Sequence, residues 1–210
     1  MYTFFLRNPL LQTRLFQTMA WLLCCLSLSA CLGNRTPVNT QRYSLPEVSL
    51  PTATTPPTRT LILGNLTLAD ALDSDRILIQ LDDITIQATR DHLWSASLSE
   101  ELRQGLRSRL AQRLLPDTLV TDALPGAKLR ASRLQLRIDQ FQGHLRGEAI
   151  MSGQWQWISA DNQLLKIQPF QFSTPLAENG YPALVRALGQ DLDKLSDQIA
   201  SQLKAAPSQP

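Results

Sequence analysis

Leu134-Gln135-Leu136-Arg137-Ile138-Asp139 alternates apolar and polar residues without a break. Successive side chains of an extended chain point to opposite faces, so this run reads as a strand with one buried face. Gly143 to Gly147 supplies a turn, and the same period resumes beyond it. Met151, Gly153, Trp155 and Trp157 then share a face, opposite Ser152, Gln154 and Gln156. A second turn at Asp161-Asn162 leads to Leu165, Ile167, Phe170 and Phe172. Pro169 interrupts that last strand and predicts a bulge or a sheet edge, because proline has no N–H to donate to a ladder. Three strands joined by short turns form an antiparallel meander, and its buried face requires a cover.

Two helices supply that cover. After the meander, Leu184, Leu188, Leu192, Leu195, Ile199 and Leu203 recur every three or four residues, the stripe of a helix from Pro182 to about Leu203. Pro182 suits the first turn of that helix. Upstream, Leu98, Leu102, Leu106, Leu110 and Leu114 make a second stripe in a helix read over Trp94 to Leu114, which Pro116-Asp117 ends. Ser97 with Glu100 has the form of a capping box. Arg103, Arg107, Arg109 and Arg113 lie off the stripe and read as a solvated face, with lipid headgroups or an acidic partner as the functional alternative.

Before this helix the chain is rich in strand signals. Leu61-Ile62-Leu63 and Leu66-Thr67-Leu68 flank Gly64-Asn65. Ile77-Leu78-Ile79-Gln80-Leu81 and Ile84-Thr85-Ile86 flank Asp82-Asp83 and read as a hairpin. The two aspartates read as turn residues, since such carboxylates bond their own backbone, rather than as metal ligands. Pro125-Gly126 predicts a further turn. The fold expected is α+β: a mostly antiparallel sheet with two amphipathic helices packed on one face.

The amino-terminal segment belongs to a different class. Ala20 to Leu28 is apolar, Arg7 and Arg14 precede it, and no acidic residue occurs before Glu47. This is the pattern of an export signal, with an apolar run shorter than the ~20 residues that span a bilayer. It ends in Leu28-Ser29-Ala30-Cys31, the form of a bacterial lipobox. Residues 1–30 therefore read as a lipoprotein signal peptide. Cys31 reads as the lipidation site, carrying diacylglycerol and an N-acyl chain such as palmitate. Leu32 rather than Asp follows the cysteine, which points to the periplasmic face of the outer membrane in a Gram-negative cell. Residues 31–59 contain Pro37, Pro46, Pro51, Pro56 and Pro57 among polar residues and read as a lipidated, semi-rigid tether. A short strand within residues 42–46 would belong to the single domain read over 60–204. Residues 205–210 read as a disordered tail.

Composition narrows the function. The 210 residues carry 20 basic and 18 acidic side chains, and loss of Arg7 and Arg14 with the signal would leave the two signs equal. No net basic field remains to attract nucleic acid. Cys24 and Cys25 leave with the signal and Cys31 is consumed by lipid, so the body has no thiol for a disulfide, a metal site or a nucleophile. No phosphate loop, Gly-x-Ser-x-Gly elbow or His-Glu-x-x-His helix occurs. His92 and His144 each stand without a ligand-spaced partner. Asn65-Leu66-Thr67 matches a glycosylation sequon that a bacterial lipoprotein would not use. No catalytic residue, metal or cofactor beyond the covalent lipid is expected. Trp155 and Trp157 read first as core. With the other sheet face uncovered, they become candidates for an apolar patch that contacts a partner or lipid.

The order of these motifs resembles the PqiC-type lipoproteins, auxiliary outer-membrane subunits of ABC-linked phospholipid transport systems that contain MCE proteins. The resemblance runs from Arg42-Tyr43-Ser44-Leu45-Pro46, through Ile77 to Leu110 with Trp94 and Ser97-Leu98-Ser99-Glu100, to Gly180-Tyr181-Pro182-Ala183-Leu184. One departure is Ser97, where the family usually carries proline. The resemblance implies a non-enzymatic, lipid-anchored periplasmic subunit that docks an MCE-domain transport protein, contacts phospholipid and assembles as a homo-oligomer. A scaffold lipoprotein for an outer-membrane barrel or for lipopolysaccharide export is the competing reading. A lipid-anchored hydrolase is a third, and it lacks a polar constellation to carry it.

Overall fold

A computed structural model describes residues 39–49, 56–123 and 130–205. The signal peptide, Leu28, Ser29, Ala30, Cys31, Leu32, the Pro125-Gly126 turn and residues 206–210 lie outside the described residues. Among those described, the element order is β1 (Gln41–Tyr43), β2 (Arg59–Leu68), a 3-10 turn (Asp70–Leu72), β3 (Arg76–Gln80), β4 (Ile86–Trp94), α1 (Leu98–Leu114), β5 (Thr118–Asp122), β6 (Ser132–His144), β7 (Glu148–Ile158), β8 (Leu164–Pro175) and α2 (Tyr181–Ala205). The α+β reading holds, with both helices on one side of an eight-stranded sheet.

Strand β6 is the axis of the sheet. Along one side it pairs antiparallel with β7 over its whole length, and β7 pairs antiparallel with β8. Along its other side two strands lie end to end, both parallel to β6: β2 beside Ser132–Ile138 and β3 beside Gly143–His144. The 3-10 turn steps the chain from one to the other. Beyond β2 lies β5, also parallel, and beyond β3 lie β4 and then β1. The antiparallel meander appears as read. The parallel joins are new; each brings together strands separated by long stretches of chain, since parallel neighbours cannot be linked by a tight turn.

Several local expectations are refined. Residues 61–63 and 66–68 form one strand, with the ladder shifting at Gly64-Asn65, rather than two. Trp94 ends β4 and does not open α1. The helix begins at Leu98, with Ser97 as its cap accepting from the Glu100 N–H. At Pro169 the ladder stays in register, and the proline is tolerated because β8 is an edge strand. The bulge lies instead between Lys166 and Leu164, at the start of β8. Ile167 consequently falls on the face away from the helices and is half exposed, while Phe170 is buried. The strand left open within residues 42–46 is β1, and Leu45 beyond it is buried, so the tether read over 31–59 gives way to folded structure by Gln41.

The core is continuous. Leu134, Leu136, Ile138, Met151 and Trp155 from the meander meet Leu102, Leu106 and Leu110 of α1 and Leu188, Leu192, Leu195 and Ile199 of α2. Gly153 sits opposite the β6 bulge between Ile138 and Gln140. A Cβ there would lie 2.1 Å from the Arg137 carbonyl oxygen, a backbone atom with nowhere to move. Gly153→Ala should therefore cost about 2–3 kcal/mol, measured as a lowered denaturation midpoint. A variant of unchanged stability would show that the bulge is plastic.

Candidate functional site: the entry of the amino-terminal segment and the open sheet face

Residues 41–49 are fastened to the body at several points. β1 pairs with the end of β4, Gln41 opposite His92 and Tyr43 opposite Trp94. Arg42 donates to the Trp94 carbonyl at 3.0 Å, and the Leu45 N–H donates to Glu101 Oε2 at 3.0 Å. Tyr43, His92 and Tyr181 form an aromatic cluster: His92 stacks on Tyr181 with centroids 3.6 Å apart, and Tyr43 Oη lies 3.0 Å from His92 Nδ1. Partial burial, then the neighbouring Tyr181, raise the Tyr43 pKa. Two separate sequence motifs, around Tyr43 and around Tyr181, thus meet through a histidine that no spacing rule would have linked to them.

The arginines of α1 are not the solvated face that their spacing suggested. Arg109 is buried at 1% exposure. Its Nε donates to Asp193 Oδ1 at 3.1 Å, Nη1 to the Gly105 carbonyl at 3.3 Å, and Nη2 to the Pro46 carbonyl at 3.1 Å. One guanidinium therefore ties α1, α2 and the entering segment together. Burial pushes its pKa down and Asp193 opposes that shift. Arg113 pairs with Asp193 and Asp197, Arg107 with Asp122, and Arg103 donates to the Gly64 carbonyl. The cause is register between helices: Asp193 and Asp197, one turn apart on α2, face Arg109 and Arg113, one helical turn apart on α1. Arg109→Ala should cost about 2–3 kcal/mol, since hydrogen bonds to a charged group are lost and the Pro46 carbonyl is left unpaired. Arg109→Lys should recover only part of this, because an ammonium cannot serve three diverging acceptors as a planar fork does. Denaturant melts of the two variants would check both.

Asp191 is a second buried charge, on α2 against β8. Its Oδ1 accepts from the Thr174 hydroxyl and from Lys194 Nζ, and its Oδ2 is buried without a partner among the described residues. Burial raises its pKa despite the bonds from Thr174 and Lys194. A carboxyl whose folded pKa exceeds its unfolded value favours the fold in its protonated form. That contribution is full below the unfolded pKa and declines as pH rises through the folded one. Asp191→Asn should flatten this part of the stability profile, read as denaturation midpoints across mildly acidic to neutral pH.

The two tryptophans separate. Trp155 is fully buried beneath the helices, so it is core and presents nothing to a partner. Trp157 is only half buried and lines a cleft of about 340 Å³ with Arg59, Leu114, Arg130 and Leu203. Among the described residues no element packs over the face of the meander opposite the helices, and that face is polar. Its rows run Gln135–Gln156–Ile167, Arg137–Gln154–Pro169 and Gln140–Ser152–Gln171. His144 Nδ1 accepts from the Arg146 N–H in the β6–β7 turn, and Asp82 Oδ1 accepts from the Ile84 and Thr85 N–H groups, so both are turn residues. Among the described residues no group of three or more His, Cys, Asp or Glu is placed to hold a metal, and no helix is long and apolar enough to cross a membrane.

A family model described as the ABC-type transport auxiliary lipoprotein component matches residues 43–200, from Tyr43 in β1 nearly to the end of α2. The intermembrane transport lipoprotein PqiC of Escherichia coli K12 is 26% identical over 191 residues, covering 89% of this chain and 98% of that protein, and PqiC of Shigella flexneri matches equally. The crystal structure of an uncharacterized protein is similar with a TM-score of 0.68 at 24% identity, covering 79% of this chain and 99% of that one. A structure from Xanthomonas campestris shares the fold with a TM-score of 0.61 at 15% identity, over the same shares of the two chains.

Proposed function

The chain belongs to the ABC-type transport auxiliary lipoprotein family, and from that membership we propose that it is a lipid-anchored periplasmic subunit of an intermembrane phospholipid transport system. The observation that carries this reading is the match to PqiC along 98% of that protein's length. Cys31 anchors the chain at the outer membrane, and the α+β body docks a periplasmic MCE-domain assembly and supports membrane integrity. The work is done by binding and not by turnover. Moving a phospholipid between membranes requires its tails to be shielded, since each methylene exposed to water costs about 0.8 kcal/mol. The open sheet face suits docking: its glutamines, serine and Arg137 offer donors and acceptors at fixed strand spacing, with Ile167 among them. Copies of the chain assemble into a homo-oligomer.

Crosslinking of the tagged full chain in whole envelopes, followed by purification and mass spectrometry, tests this. An MCE protein as the dominant partner, with crosslinks on the open face, is the result expected. A β-barrel protein in its place would overturn the transport reading in favour of a scaffold. Native mass measurement of the purified lipoprotein tests the oligomer.

A further inference from the structure

Three of the six large aliphatic side chains exposed among the described residues gather at one end of the sheet. Ile84 is 88% exposed at the apex of the β3–β4 turn, Ile86 is 48% exposed where β4 begins, and Leu145 is 69% exposed in the β6–β7 turn. The two turns are neighbours, because the Leu145 N–H donates to the Gln80 carbonyl at 2.9 Å. The tip is built to present these groups. Asp82 Oδ1 holds the Ile84 and Thr85 N–H groups at 3.0 and 2.7 Å, which fixes the turn with Ile84 outward. Gly147 closes the second turn at φ 83°. Asp82, Asp83 and Arg146 are the exposed charges beside them, so the tip has no strong field of either sign.

β1 runs parallel to β4, whose first residues are at the tip, so the amino-terminal end of β1, at Gln41, faces the tip end of the sheet. Arg42 and Arg76 both oppose Leu93, and Gln80 opposes Ile86. The tip is therefore four residues of β3 beyond β1, about 13 Å. Ten peptide links join Cys31 to Gln41, and they reach at most about 35 Å. A lipid on Cys31, with a reach of that length, leaves the tip end of the body able to touch the bilayer.

We propose that Ile84, Ile86 and Leu145 form a second membrane contact, inserting into the lipid leaflet that holds Cys31 and setting the tilt of the body on it. This rests on the lipid anchor at Cys31. With the tip seated, the opposite end of the sheet, at the Ser159–Gln163 turn, points away from the membrane.

The test uses the full lipidated chain in vesicles of phosphatidylethanolamine and phosphatidylglycerol that contain brominated lipid. The mature body has no thiol of its own, so Ile84→Cys, Leu145→Cys and Gln163→Cys each give one site for a fluorescent label. Labels at 84 and 145 should be quenched about twofold or more, as suits a contact ~5–10 Å into the interface, while a label at 163 is untouched. Equal quenching at all three sites, or none at 84 and 145 in a chain that floats with the vesicles, would overturn the tip contact and leave the anchor standing. A chain that does not float would overturn the anchor, and the tip contact with it. Labels unquenched in vesicles yet shielded from soluble quencher in native envelopes would assign the tip to a protein partner instead.

Discussion

Cys31→Ser is expected to abolish incorporation of labelled palmitate and to remove the protein from the outer-membrane fraction. The expectation follows from reading Leu28, Ser29, Ala30 and Cys31 as a lipobox. One acyl chain alone gives only marginal, reversible membrane binding, and each buried methylene adds about 0.8 kcal/mol, so a diacylglycerol plus an N-acyl chain makes release negligible. Without the thiol, none of these chains is added. Signal processing of this type also depends on the lipidated cysteine, so the variant should accumulate with residues 1–30 still attached. Replacing those residues by a plain cleavable signal, in the Cys31→Ser background, should then yield a soluble periplasmic body with its fold unchanged. Fractionation, palmitate labelling and intact mass distinguish these outcomes. Palmitate uptake by the Cys31→Ser variant would place the lipid elsewhere and remove the basis of the anchor.

Trp155→Ala is expected to destabilise the body by about 3–5 kcal/mol, the range for truncating a large buried aromatic. Trp155 is fully buried on β7, between Leu136 of β6 and Gln168 of β8, beneath the two leucine stripes. Its removal opens a cavity that strands on both sides hold open, because the ladders on either side constrain collapse. Many domains of this size have only about 5–15 kcal/mol of stability in total, so the variant should be largely degraded in cells. Trp155→Phe should cost much less. It keeps most of the volume and also removes an indole N–H that is buried without an acceptor among the described residues. Chemical denaturation of both variants would check the order. Trp157→Ala, at a half-buried site, should fall well below Trp155→Ala.

The secondary structure of the meander and both helices was legible because each burial surface repeats locally. Alternation marked Leu134 to Ile138 and Met151 to Trp157, and the three- and four-residue spacing of leucines marked α1 and α2. The motif order around Tyr43, Trp94 and Tyr181 was equally local, and the family match runs over those same residues. These features depend on residues near one another in the chain, where period and chemistry can be read directly. What needed the tertiary structure was every relation between distant segments. Arg109 looked solvated because its partners, Asp193 and Pro46, are remote in sequence. Trp155 and Trp157 share one strand face, yet only the placement of α2 buries the first and leaves the second at a cleft. The parallel seating of β2 and β3 along β6 leaves no period in the sequence, since parallel neighbours are joined by crossovers and not by turns. The aliphatic tip is of the same kind: Ile84 and Leu145 become neighbours only when two turns close side by side.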